Sequence, residues 1–149
     1  MEKKILQIET GLKEFSLNDA VTVRFNPTDS AFVGKIYTTF SELEKKQEEY
    51  QKKIMEGTTD EVIELTKTLD KEMRDTLEDI FGVDVVTPLI GNANVYSMAG
   101  GMPIWTNILL AVMDELEVST EEQRKLNAEK IAFYTKKYQA KDHQRKARK

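Results

Sequence analysis

Residues 15–37 read FSLNDAVTVRFNPTDSAFVGKIY, and the spacing of their apolar side chains changes period within that stretch. Phe15 and Leu17, then Val21, Val23 and Phe25, alternate with Ser16, Thr22 and Arg24, the two-residue repeat of half-buried strands. Asn18 and Asp19 tolerate left-handed backbone between the two runs, so a hairpin is expected there. Leu6 and Ile8 offer a third strand, reversed near Thr10 and Gly11. Two strands alone are marginal in water, so one face of the hairpin or meander must pack on helices.

The period lengthens after Asn26-Pro27-Thr28-Asp29. Asn can cap free amides, Pro suits a first helical turn, and Asp is favourable at the positive end of the helix dipole, so a helix is expected to begin here. Val33, Ile36, Tyr37, Phe40, Leu43, Tyr50 and Ile54 then recur at three- and four-residue steps to about Met55. Gly57 stops the helix, and Thr58 with Glu61 forms a capping box for a second one. That helix carries Val62, Leu65, Leu69, Met73, Leu77 and Ile80 and ends at Gly82. A short loop between two amphipathic helices implies an antiparallel pair.

Gly91, Asn92, Asn94, Gly100 and Gly101 mark an irregular connection with one short helix after Pro88. Pro103 opens a helix bearing Ile104, Trp105, Ile108, Leu109, Val112, Met113 and Leu116. Ser119 and Glu122 read as another capping box, before a final helix with Leu126, Ile131, Tyr134 and Tyr138. The expected fold is α+β and mainly α-helical: an N-terminal β-hairpin or three-stranded meander packed on an antiparallel helix pair, followed by two further helices. Residues 1–135 form one domain in this reading, and residues 136–149 a basic, mobile C-terminal tail.

Charge sets that tail apart. Lys136, Lys137, Lys141, Arg145, Lys146, Arg148 and Lys149 face Asp142 alone; seven bases less one acid give +6, so a total of −4 leaves −10 on the rest of the chain. Blocks of like charge commonly mark interaction tails. The absence of cysteine excludes disulfides and thiolate chemistry and fits a reducing compartment. The opening residues lack the apolar run of a signal peptide, and Ile104–Met113 is too short to span a bilayer. A protein of the bacterial cytoplasm, with no membrane contact, is expected.

Catalytic apparatus is not evident. The single histidine, His143, lies among cations that disfavour its protonation and has no sequence-adjacent partner. Paired carboxylates such as Glu48 with Glu49, or Asp75 with Asp79, fall on charged helical faces and lack the spacing of a calcium loop. Gly100-Gly101 precedes a helix but is followed by no Walker lysine, and Ser41 and Ser97 sit in no nucleophile elbow. No catalytic residue, cofactor or metal is expected, and partner binding is the remaining activity. Trp105 is a candidate interface anchor, although core packing is the commoner outcome for an aromatic at this helical spacing. Tyr134 and Tyr138, with Lys136, Lys137, Lys141, Arg145, Lys146, Arg148 and Lys149, are candidate partner-binding residues at a basic end that suits acidic partners; the plainer reading, favoured over nucleic acid, is that both tyrosines finish the last helix's packing while the cations solubilise its end. Stacking and phosphate contact with nucleic acid is the alternative use of the same residues, opposed by the acidic body.

Several segments together suggest a family. A hairpin leading into Phe25-Asn26-Pro27-Thr28-Asp29, a long charged helix, Asp79-Ile80-Phe81-Gly82, and Leu89-Ile90-Gly91-Asn92 before a last helical section resemble the small tail assembly chaperones of long-tailed phages and prophages of Gram-positive bacteria. The resemblance spans about residues 5 to 117 and rests on layout and short loose motifs. It implies a non-enzymatic protein that binds a tape measure protein and recruits tail tube subunits. The basic tail is a departure from the family pattern.

Overall fold

Asn18 and Asp19 have φ of 53° and 55°, so the chain reverses through two left-handed residues and the Ala20 amide donates to the Leu17 carbonyl at 2.9 Å. This primed turn matches the natural twist of the strands it joins. β1 (Lys13–Leu17) and β2 (Val21–Phe25) pair antiparallel with Phe15 opposite Val23, which puts the apolar set on one face. The computed structural model describes the backbone of residues 2–147 and the side chains of residues 2–139. Residues 2–12 adopt no regular structure, so the sheet is a hairpin and not a meander. Gly11, at φ +75°, turns the chain instead, and the Asn26 side-chain amide holds the Thr10 carbonyl at 3.1 Å.

Asn26 thereby serves the turn and not the helix. Its Oδ1 accepts from the Thr28 amide and hydroxyl, both at 3.0 Å, and α1 (Ser30–Glu56) is capped three residues later by Asp29, whose carboxylate accepts from the Ala31 amide. Stacked rings fasten the hairpin to this start: Phe25 lies between Phe15 and Phe32, at centroid distances of 4.6 and 4.5 Å. α2 (Thr59–Phe81) begins with the expected reciprocal box between Thr58 and Glu61 and ends at Gly82 in the left-handed conformation. The two helices run antiparallel, as two cross-links show. Tyr50, late in α1, donates to Glu72 in the middle of α2 at 3.1 Å, and Lys35, early in α1, reaches the Asp79 carbonyl near the end of α2 at 3.2 Å. Burial, and next the bond to Glu72, raise the Tyr50 pKa above its ordinary value. Ile36 and Leu43 of α1 bury themselves against Leu69, Met73 and Leu77 of α2.

The connection to the last helix contains α3 (Val86–Ile90), which includes Pro88 in its first turn and does not follow it, and a two-residue ladder of β3 (Met98–Ala99) with β4 (Met102–Pro103). Gly100 and Gly101, at φ of 62° and 86°, make the ladder's turn. An ion pair on α2 anchors this segment. Asp70 and Arg74 meet at 2.8 Å, one helical turn apart, with side chains 18% and 17% exposed. Arg74 donates onward to the carbonyls of Gly91 and Ala93 and to the Thr87 hydroxyl, while Asp70 accepts the Val95 amide at 2.7 Å. Val95, fully buried, then accepts the Trp105 amide at 2.9 Å and sets the start of α4 (Ile104–Ala147).

α4 buries Trp105, Ile108, Leu109, Val112, Leu116 and Ser119 along one stripe. The expected break at Ser119 does not occur. Ser119 is 1% exposed, its hydroxyl donates to Glu115 at 2.9 Å, and the helix passes through it as a single rod. α3 and α4 are thus the two helices that follow the pair. The rod also crosses residue 136, where a tail was expected to begin.

Replacing Arg74 by Ala leaves the Asp70 carboxylate and several carbonyls short of a donor in a part-buried site. A loss of about 2–4 kcal/mol in urea unfolding is expected, with Arg74→Lys recovering only part of it because Lys lacks the planar fork. The variant should also expose Trp105 to quencher below the unfolding midpoint. A change under about 0.5 kcal/mol would show that the pair is ordinary surface charge.

Candidate interaction surface

A groove and a projecting helix on the described surface depart from an ordinary charged exterior, as do the exposed Ile5, Leu6, Ile8 and Leu12 of the N-terminal segment. The first is a groove of about 420 Å³ between the hairpin turn, the end of α3 and the first turns of α4. Leu17, Leu89, Ile90, Ile104, Ile108 and Ala111 line it, and Asn107 closes one wall by donating to the Ala99 carbonyl at 2.8 Å. The β3–β4 ladder at this wall carries Met98 and Met102, 65% and 44% exposed. This groove had no sequence signal of its own, because Leu17, Leu89 and Ile104 each belong to a stripe that reads as core.

The second region is the distal half of α4. Every described side chain from Thr120 to Gln139 is exposed, among them Leu126, Ile131, Phe133, Tyr134 and Tyr138. From Thr120 to Ala147 the helix projects for about 40 Å at its regular rise per residue. Phe133 meets the Tyr134 ring edge to face at 5.2 Å, Tyr134 stacks on Tyr138 at 6.3 Å, and the Lys137 ammonium sits 5.8 Å from the Tyr134 centroid. Such ring and cation contacts form a partly apolar, cationic strip. Arg124 and Glu121 close a 2.7 Å ion pair at its base, and the Arg124 hydrogen bond holds the Glu121 carboxyl below the usual carboxylate range.

The sequence candidates separate on this geometry. Tyr134, Tyr138, Lys136 and Lys137 lie together on the projecting helix, and all four are exposed. The side chains of Lys141, Arg145, Lys146, Arg148 and Lys149 lie outside the described residues, as does that of His143. Trp105 is corrected from interface anchor to core. Only 2% exposed, it donates its indole N–H to Gln47 at 2.6 Å and packs edge-on against Phe40 at 5.4 Å. Gly100 and Gly101 turn the small ladder, and Asp75 pairs with Lys71 at 2.9 Å. Among the described residues no group of three or more His, Cys, Asp and Glu side chains is placed to hold a metal ion, and no helix is long and apolar enough to cross a membrane.

Deleting residues 121–149 should change the unfolding free energy of the remaining body by less than about 1 kcal/mol, since every described side chain removed, from Glu121 to Gln139, is exposed. Urea unfolding followed by Trp105 fluorescence measures this directly. No protein-family model, curated protein or solved structure matches this chain in the comparisons made with each.

Proposed function

We propose that this protein is a non-enzymatic assembly chaperone of the phage-tail type, acting in the bacterial cytoplasm by binding a tape measure protein and presenting it to tail tube subunits. The resemblance of residues 5–117 supplies the class. The observation that carries the reading here is the uncovered, mainly apolar groove bounded by Leu17, Ile90, Ile104 and Ala111. A long helical partner exposes an apolar stripe until it is packed, and such a stripe laid into a groove is a standard mode of helix recognition. Surface charge then contributes to the encounter rate and to partner choice more than to affinity.

The projecting cationic helix favours a second reading, contact with nucleic acid through Lys136 to Lys149. It requires affinity that falls steeply with salt and disappears on deleting residues 121–149.

Co-expression separates the two. The tape measure protein is expected in the soluble fraction only when this protein is present, and Ala111→Glu, an exposed substitution in the groove, should cut co-purification by about ten-fold without lowering the melting temperature. A tape measure that stays insoluble in both cases removes the chaperone reading. Salt-sensitive DNA or RNA binding by the full chain alone would put the second reading first.

A further inference from the structure

The N-terminal segment leaves Ile5, Leu6, Ile8 and Leu12 in water, 81%, 72%, 77% and 59% exposed. Every described side chain from Glu2 to Thr10 is exposed, and residues 2–12 form no helix or strand. Asn26 holds the Thr10 carbonyl at 3.1 Å, at the open end of the hairpin, and residues 2–9 make an arm beyond that point. Aliphatic side chains of this size are favoured in an apolar site.

The groove of about 420 Å³ at Leu17, Leu89, Ile90, Ile104, Ile108 and Ala111 matches this arm in length and in order of residue types. Along α4, Ile104, Ile108, Ala111 and Glu115 recur on one stripe at steps of four, three and four, with Asp114 beside the last. On an extended chain Lys4, Leu6 and Ile8 share one face, because side chains alternate. From Lys4 to Ile8 is about 13 Å of extended chain, and from midway between Ile104 and Ile108 to Glu115 is about 13 Å of helix. Laid antiparallel to α4, the arm therefore sets Ile8 against Ile104 and Ile108, Leu6 against Ala111, and Lys4 against Asp114 and Glu115. The opposite direction would carry Lys4 to the positive end of the helix dipole.

We propose that two copies of this chain exchange their N-terminal arms, each arm lying in the groove of the other copy. The arm falls short of its own groove. The hairpin lines that groove with Ser16, Leu17 and Asn18, at its turn end, about 13 Å or more along the strands from Asn26. Ile8 lies two residues, about 7 Å of extended chain, from the Thr10 carbonyl that Asn26 holds. A second copy is under no such tether. Reciprocal exchange fills both grooves, covers both arms and closes as a dimer through one self-complementary arrangement. The inference rests on the arm and the groove, and it holds whether or not the groove also takes a tape measure protein.

Sedimentation of the full chain is expected to show a monomer–dimer equilibrium. A chain lacking residues 2–9 should stay monomeric with its melting temperature changed by less than about 2 °C, since the side chains removed are exposed. Leu6→Asp with Ile8→Asp should weaken the dimer at least about ten-fold. Lys4→Glu should raise the dissociation constant about five-fold, and adding Asp114→Lys should return it to within about two-fold. The chain has no cysteine, so the double variant Leu6→Cys with Ala111→Cys reports which groove is filled. Its oxidation should give a linked dimer on a denaturing gel. A disulfide closed within one chain overturns the proposal, because the arm would then fill its own groove. Protein that stays monomeric to about 0.5 mM overturns it as well, as does a dimer that survives removal of residues 2–9. Failure of co-expression with a tape measure protein moves none of these readouts.

Discussion

The Asp70–Arg74 pair is the constraint on which the rest of the architecture depends. α1, α2 and the hairpin can assemble from their own stripes and turns, whereas residues 82–103 bury Val85, Val86 and Val95 from a largely irregular backbone with little ladder of its own. Their backbone groups are held by the pair as well. Arg74 gathers Gly91 and Ala93 through one nitrogen and Thr87 through another, and Asp70 keeps the guanidinium oriented while taking the Val95 amide. Charge-assisted bonds in a part-buried setting are stronger than neutral ones, and loss of either partner strands the other. Once Val95 is fixed, the Trp105 amide bonded to its carbonyl fixes the direction in which α4 leaves.

Both candidate surfaces follow from that placement. Holding α3 and the β3–β4 ladder against α2 separates Leu89 and Ile90 from Leu17 and Ile104 by the width of a groove, where a looser loop would collapse and fill it. The same geometry uses the first four turns of α4 as a foundation, with Trp105, Leu109 and Leu116 buried, and releases the remainder into solvent at Ser119.

Local chemistry was legible in the residues wherever one motif has one outcome. Asn18-Asp19 between alternating runs, Thr58 three residues before Glu61, and Gly82 after Phe81 all do what their types favour, so the hairpin, the second helix and the antiparallel pair could be read directly. Motifs with competing uses were not legible. Asn26 can cap a helix or close a turn, and the free carbonyl of Thr10, sixteen residues away, decides for the turn. Ser119 with Glu122 satisfies the letter of a capping box, yet a cap needs extended backbone. Burial of Leu116 and Ser119 on the same stripe, within a run of good helix formers, keeps the helix intact. Asp70 and Arg74 looked like any exposed pair at a four-residue spacing. Their position on the flank of Leu69 and Met73 was the available hint, but which loop would settle over them depended on tertiary packing.

The unbroken passage of α4 through Ser119 has a mechanical consequence. A stiff arm of about 40 Å clamped at one end acts as a lever, so a tilt of about 5° at its base sweeps the tip through about 4 Å. Occupancy of the groove beside Ile104, Ile108 and Ala111 bears on that base, and the far end would register the displacement magnified.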